Sequence, residues 1–175
     1  MNLGSVHAKT VSAEIVTAFR DVPRPDRYVP EDYVAYDELE NFDYLSDKTW
    51  LEIAGNLKYL ARHITEQFYY VTEECLLYFL PGYLLGVVNH ERVFIEGIAR
   101  SLMGILSPHE RDEWANERLA YLLATLTPIQ KKAVAHWLQL ELERDKERSP
   151  QWYEDEAVAV HTVYRVAFAK WRHWA

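Results

Sequence analysis

Phe68-Tyr-Tyr-Val-Thr-Glu-Glu-Cys-Leu-Leu-Tyr-Phe-Leu-Pro-Gly-Tyr-Leu-Leu-Gly-Val-Val88 decides the fold. From Cys75 to Val88 no residue is charged, and nearly every position is a large apolar or aromatic one. A segment that is apolar on all sides has to be covered on all sides, so other helices must pack around it. Thr72 followed by Glu73 and Glu74 supplies a start: a capping hydroxyl, then acids that suit the positive end of a helix. Pro81 sits in the middle, where it removes a backbone donor and crowds the preceding turn. The stretch therefore predicts a buried central helix, kinked or broken at Leu80-Pro81-Gly82.

Outward from this helix the chain reads as helical throughout. Upstream, Val11, Ile15, Val16 and Phe19 share one face of a first helix over 11–20, with residues 1–10 expected to lack order. Pro23, Pro25 and Pro30 then hold residues 21–35 as an extended connector. A short helix is expected near 36–44, with Leu39 and Phe42 inward. Another is expected over 47–63, capped by Ser46 or Asp47, with Trp50, Ile53, Leu57 and Leu60 on its core face. Downstream, Val93, Phe94, Ile98, Leu102 and Ile105 form a stripe ending at Leu106. Ser107-Pro108-His109-Glu110 and Thr127-Pro128-Ile129-Gln130 share one start grammar, a capping hydroxyl, a proline at the first helical position and a Glu or Gln closing the box. Ser149-Pro150 repeats its first half. These predict helices near 108–124, 128–146 and 151–173. Their inward faces carry Trp114, Leu119 and Leu122, then Ile129, Val134, Trp137 and Leu138, then Val160, Tyr164, Phe168 and Trp171. No stretch alternates as a strand does. The expected fold is all-α, a single-domain bundle of six to eight helices over residues 1–175 around the proline-kinked central one.

Trp50, the run Tyr78-Phe-Leu-Pro-Gly-Tyr83, and Leu126-Thr-Pro-Ile-Gln-Lys-Lys-Ala-Val134 with Trp137 and Leu138 resemble a family of small bacterial helical proteins of unknown function. That family carries a Tyr-Leu-Pro-Ala-Tyr-like signature and a late Leu-Thr-x-x-Gln-x-x-Ala helix start. The resemblance spans residues 30–145, with Gly82 in place of the usual alanine and Phe79 in place of the first tyrosine. It implies a helical fold and carries over no functional residue. Small acidic helical proteins of this general kind include toxin-immunity proteins, an analogy of type only.

Composition narrows the function. Twenty-seven acids against nineteen bases give a formal charge of -8 among 175 residues. That opposes nucleic-acid binding and docking on an anionic membrane, both of which need a positive face. The single cysteine, Cys75, lies in the apolar stretch and reads as an inert thiol. The N-terminus shows no basic start followed by an apolar run, and the apolar run at 75–88 is too short to span a bilayer, so a cytoplasmic location is expected.

Tests for chemistry find little. His109-Glu110-x-x-Glu113 lacks the second histidine of a zincin helix, His90-Glu91 points its two groups apart, and no Glu-x-x-His pair occurs. There is no nucleophile elbow and no glycine-rich phosphate loop. No catalytic, cofactor or metal residue is assigned, and an enzyme has no support in the sequence.

One segment stands out. From Glu31 to Asp47 there are seven acids and no base, interleaved with Tyr33, Tyr36, Phe42 and Tyr44. A solvated connector with rings laid against the bundle explains this as it stands. A partner-binding strip also does, with Asp37, Glu38, Glu40 and Asp43 steering toward Lys or Arg, and Tyr33, Tyr36 and Tyr44 supplying rigid apolar area. Trp174, beside the C-terminus, is a second candidate contact, because chain ends seldom keep a large ring buried. The leading expectation is a non-enzymatic module that binds a basic protein, most concretely an immunity protein against a cationic, nuclease-type toxin. The alternatives are a small-molecule- or metal-binding helical enzyme with its pocket beside Pro81, and a homodimeric scaffold.

Overall fold

The computed structural model describes residues 3–31, 45–56, 60, 71–154 and 162–175. Among them there are eight α-helices and no strand, an all-α architecture as the sequence predicts. In chain order the helices are α1 (Leu3–Phe19), α2 (Trp50–Ala54), α3 (Glu73–Asn89), α4 (Arg92–Leu106), α5 (Glu113–Thr125), α6 (Pro128–Arg148), α7 (Gln151–Glu154) and α8 (Val163–Trp171). A 3-10 turn, Arg172–Trp174, ends the chain. The residues divide into two compact units, one of Phe19–Leu102 and one of Met1–Ala18 with Met103–Ala175.

In the unit Phe19–Leu102 the organising element is α3. Thr72, in extended backbone, accepts from the Cys75 N–H, and Glu73 and Glu74 fill the first turn, so the helix starts where its cap predicts. Every residue from Cys75 to Val88 except Leu77 is buried. The expected break does not occur: α3 runs through Pro81 to Asn89. A buried proline deprives the helix of one internal donor, and the packing around it outweighs that loss, as tertiary context often does.

The packing partner is α2. A Cβ on Gly82 would lie 2.5 Å from the Trp50 carbonyl oxygen and 3.3 Å from its Cα, so only glycine lets the two backbones approach this closely. The alanine of the resembled signature would not fit here. At Gly86 a Cβ would instead meet the ends of the Leu60 side chain, at 2.6 Å. Trp50, Ile53 and Leu60 are buried as their spacing predicts; Leu57 lies outside the described residues.

The cap of α2 differs from expectation. Thr49, not Ser46 or Asp47, accepts from the Glu52 N–H, and Glu52 in return accepts from the Thr49 N–H at 2.7 Å, a complete capping box. Those Thr49 donors, backbone N–H first and hydroxyl second, hold the Glu52 carboxyl below its usual range. α2 itself ends at Ala54 with Gly55 as its C-cap, and of the rest of the helix expected to 63, residues 57–59 and 61–63 lie outside the described residues.

In the other unit the helix expected over 11–20 begins earlier. Residues 3–10 belong to α1 instead of an unordered terminus, since nothing but Gly4 opposes propagation from the anchored turns below. Val11 and Ile15 are buried, one turn apart. α6 starts as its sequence dictates: Thr127 caps, Pro128 takes the first position, and Gln130 closes the box with its Oε1 2.9 Å from the Thr127 N–H. Val134, Trp137 and Leu138 are fully buried. Ile129, expected inward, is 58% exposed.

The same grammar fails at Ser107-Pro108. α5 starts at Glu113, capped by Asp112, whose carboxylate accepts from the Ala115 N–H at 3.0 Å. The Ser107 Oγ is buried and makes no hydrogen bond among the described residues. Leu122 is buried, whereas Trp114 and Leu119 are half-buried. The single helix expected over 151–173 is also replaced. α7 is one turn, and Thr162 stands in extended backbone ahead of α8. Tyr164 and Trp171 are buried on the predicted face, Phe168 is half-buried, and Val160 lies outside the described residues.

Candidate functional site

Tyr33, Tyr36, Asp37, Glu38, Glu40, Asp43 and Tyr44, and the helix expected near 36–44, lie outside the described residues. The frame on either side of them is described. Residues 21–31 carry no helix, in keeping with three prolines in eight positions, and Pro25 is buried.

Two side chains of this connector reach the far side of the acidic run. Arg24 donates from Nη2 to the Lys48 carbonyl at 2.7 Å and from Nε to the Tyr28 hydroxyl at 3.0 Å. That bond to Tyr28 is the main reason the guanidinium is held more firmly protonated than usual. The Tyr28 hydroxyl donates to the Ser46 carbonyl at 3.3 Å. Arg24 and Lys48, on either side of the run, are thus fastened together, and Tyr28 is fastened to Ser46 near the run's end.

The frame is itself anchored to the start of α3. The Thr72 N–H donates to the Tyr28 carbonyl at 2.9 Å, and the Thr72 hydroxyl donates to the Arg27 carbonyl at 2.8 Å. The same hydroxyl oxygen caps α3. The Tyr28 ring lies 6.1 Å from Phe79 on α3, and Phe79 meets Tyr78 edge to face at 4.9 Å. Burial raises the Tyr78 hydroxyl's pKa. Glu31, the first acid of the run, is exposed and paired with Arg27 one helical-turn spacing away.

Trp174, the remaining candidate, is half-buried. Its ring lies 5.3 Å from Trp171 and 3.6 Å from the His173 ring, and the Lys131 ammonium sits 5.3 Å from its centroid. Trp171 is core, with its indole N–H donating to the Leu106 carbonyl at 2.9 Å.

Two grooves escape the sequence reading, both in the unit that contains α6. The larger, about 680 Å³, lies between α1 and α6 and is lined by Lys9, Thr10, Ala13, Glu14, Thr17, Ile129, Lys132 and Ala133. The smaller, about 400 Å³, is formed by α6, α7, α8 and the 3-10 turn. Neither of these two involves Pro81. Pro81 is buried, and the Trp50 backbone occupies the space over its neighbour Gly82.

Histidines and Cys75 have structural surroundings. The His90 ring meets the Ala54 carbonyl at 3.0 Å, the His109 Nδ1 accepts from the Arg111 N–H at 3.2 Å, and Cys75 is a buried free thiol. Among the described residues no three His, Cys, Asp or Glu side chains gather as a metal would require. No helix among them is long and apolar enough to cross a membrane. Comparison of the chain with protein-family models, with curated proteins and with solved structures gives no match.

Proposed function

We propose that the protein is a non-enzymatic binding module for a basic protein, most concretely an immunity protein that neutralises a cationic, nuclease-type bacterial toxin. The observation that carries this reading is the ring-bearing run from Glu31 to Asp47, seven acids without a base, whose flanks are joined by the bond of Arg24 to the Lys48 carbonyl, with Tyr28 bonded to Ser46 near its end. Carboxylates steer a cationic partner and pair with its Lys and Arg, while tyrosines add contact area at small conformational cost. A nuclease cleft must be basic to hold its substrate, which makes it the matching target. The test is titration of the intact chain into cationic nuclease toxin domains. Stoichiometric loss of nuclease activity in one of them supports the reading. Undiminished activity across a panel of such domains overturns it.

A second reading, a bundle that binds a small molecule, is favoured by the 680 Å³ groove between α1 and α6. Its size is that of known ligand pockets, roughly 300–1,000 Å³. A rise in melting temperature with one compound of a metabolite panel tests it.

A further inference from the structure

The groove formed by α6, α7, α8 and the terminal 3-10 turn is lined by Leu142, Lys146, Tyr153, Arg165, Phe168, Ala169 and Arg172. In a chain of formal charge -8, three of these seven are cations and none is an acid. Among the described acids of α6 near the groove, two are already engaged. Asp145 accepts from the Tyr153 hydroxyl at 2.6 Å and from Arg148 at 3.4 Å, and Glu141 is paired with Arg144 at 2.8 Å. Lys146 and Arg172 make no ion pair with any described residue, and both are exposed. Lys146 instead hangs 5.8 Å from the centroid of the Tyr153 ring. The lining thus pairs a positive rim with two aromatic faces, Tyr153 and Phe168. The Tyr153 ring is held in place by its bond to Asp145, which with burial pushes the phenol up to about 12 and keeps it neutral.

We propose that this groove binds a small phosphorylated aromatic molecule of the nucleoside diphosphate class. Guanidinium and ammonium groups match phosphate oxygens, with Arg suited to two-point contacts. An aromatic side chain gives a base a stacking face without regard to its identity. At about 400 Å³ the groove falls within the range of small-ligand pockets, roughly 300–1,000 Å³. No residue of the acidic run takes part, so this site stands or falls separately from the function proposed above.

The experiment is calorimetric titration of the full chain with ADP, pyrophosphate and adenosine in parallel. ADP is expected to bind more tightly than either fragment, since each supplies only one half of the recognition. Replacing Lys146 and Arg172 together by Ala should weaken ADP about tenfold or more. Phe168→Leu, checked for an unchanged melting temperature, should weaken ADP and leave pyrophosphate unaffected. No heat with ADP at millimolar concentration overturns the proposal, as does equal affinity for ADP in the Lys146/Arg172 double variant. Pyrophosphate binding as tightly as ADP overturns the aromatic half and reduces the groove to a simple anion site.

Discussion

The His136 imidazole on α6 and the Glu14 carboxylate on α1 meet at 2.6 Å, although they lie 122 residues apart in sequence. The arrangement is reciprocal, because His7 on α1 meets Glu143 on α6 at 3.2 Å. Each helix contributes one imidazole and one carboxylate, two contacts that share one register of α1 along α6. Both members of the shorter pair are partly exposed, at 23% and 35% of the side chain, so solvent screens it. A double-mutant cycle with His136→Ala and Glu14→Ala should give a coupling of about 1 kcal/mol or less, shrinking as salt is raised. Chemical denaturation of the four variants measures it.

The contact of Gly82 with Trp50 makes a sharper demand. An added methyl would lie 2.5 Å from a backbone oxygen, which cannot rotate away as a side chain can. Gly82→Ala gains up to about 1 kcal/mol of helix propensity. Forcing α2 from α3 nevertheless costs about 1–3 kcal/mol by overpacking, so the net change should be destabilising. Leu84→Ala, at a fully buried position of the same helix, should cost about 2–5 kcal/mol through the cavity it leaves. Urea midpoints of the two variants check both figures.

Thr127 and Ile129 are two residues apart and predict opposite outcomes. Thr127→Ala removes the cap from α6 and should cost about 1 kcal/mol. Ile129→Gln replaces a side chain that is 58% exposed and should change stability by less than about 0.5 kcal/mol. Thermal melts distinguish them.

These sites also show what the sequence made legible. Local chemistry was enough where one signal stood unopposed, as at Thr72 for α3 and Thr127 for α6. At Ser107-Pro108 a rival lay five residues on. Asp112 offers a carboxylate to the Ala115 N–H, and the Asn116 side chain donates to the Asp112 and His109 carbonyls, so the chain turns before it coils. At Pro81 the sequence predicted a kink or a break, and of the two a break is absent, since the helix stays continuous where its neighbours bury it. The candidate site divides similarly. Charge and rings between 31 and 47 were plain, but the bonds of Arg24 and Tyr28 to Lys48 and Ser46 join residues 18 and 24 apart and leave no periodic trace. The cationic groove needs α6, α7 and α8 to converge, which no single stretch announces.

Tyr153 gives a pH dependence of definite sign. Burial first, and then the bond to Asp145, raise its hydroxyl from 10.0 to about 12, so folding favours the protonated phenol. Its contribution is complete below pH 10 and is lost as pH rises through about 12. Tyr153→Phe removes this dependence, so the stability gap between wild type and variant should narrow over that interval. Denaturant titrations at stepped alkaline pH record it.

The most direct measurement concerns the acidic run itself. With a cationic nuclease domain that the intact chain inhibits, the dissociation constant is compared for wild type and for Asp37→Asn, Glu38→Gln, Glu40→Gln and Asp43→Asn combined. The account predicts that affinity falls about tenfold or more, chiefly through slower association, and that the salt dependence flattens. Equal affinity and equal salt dependence in the two proteins would contradict it.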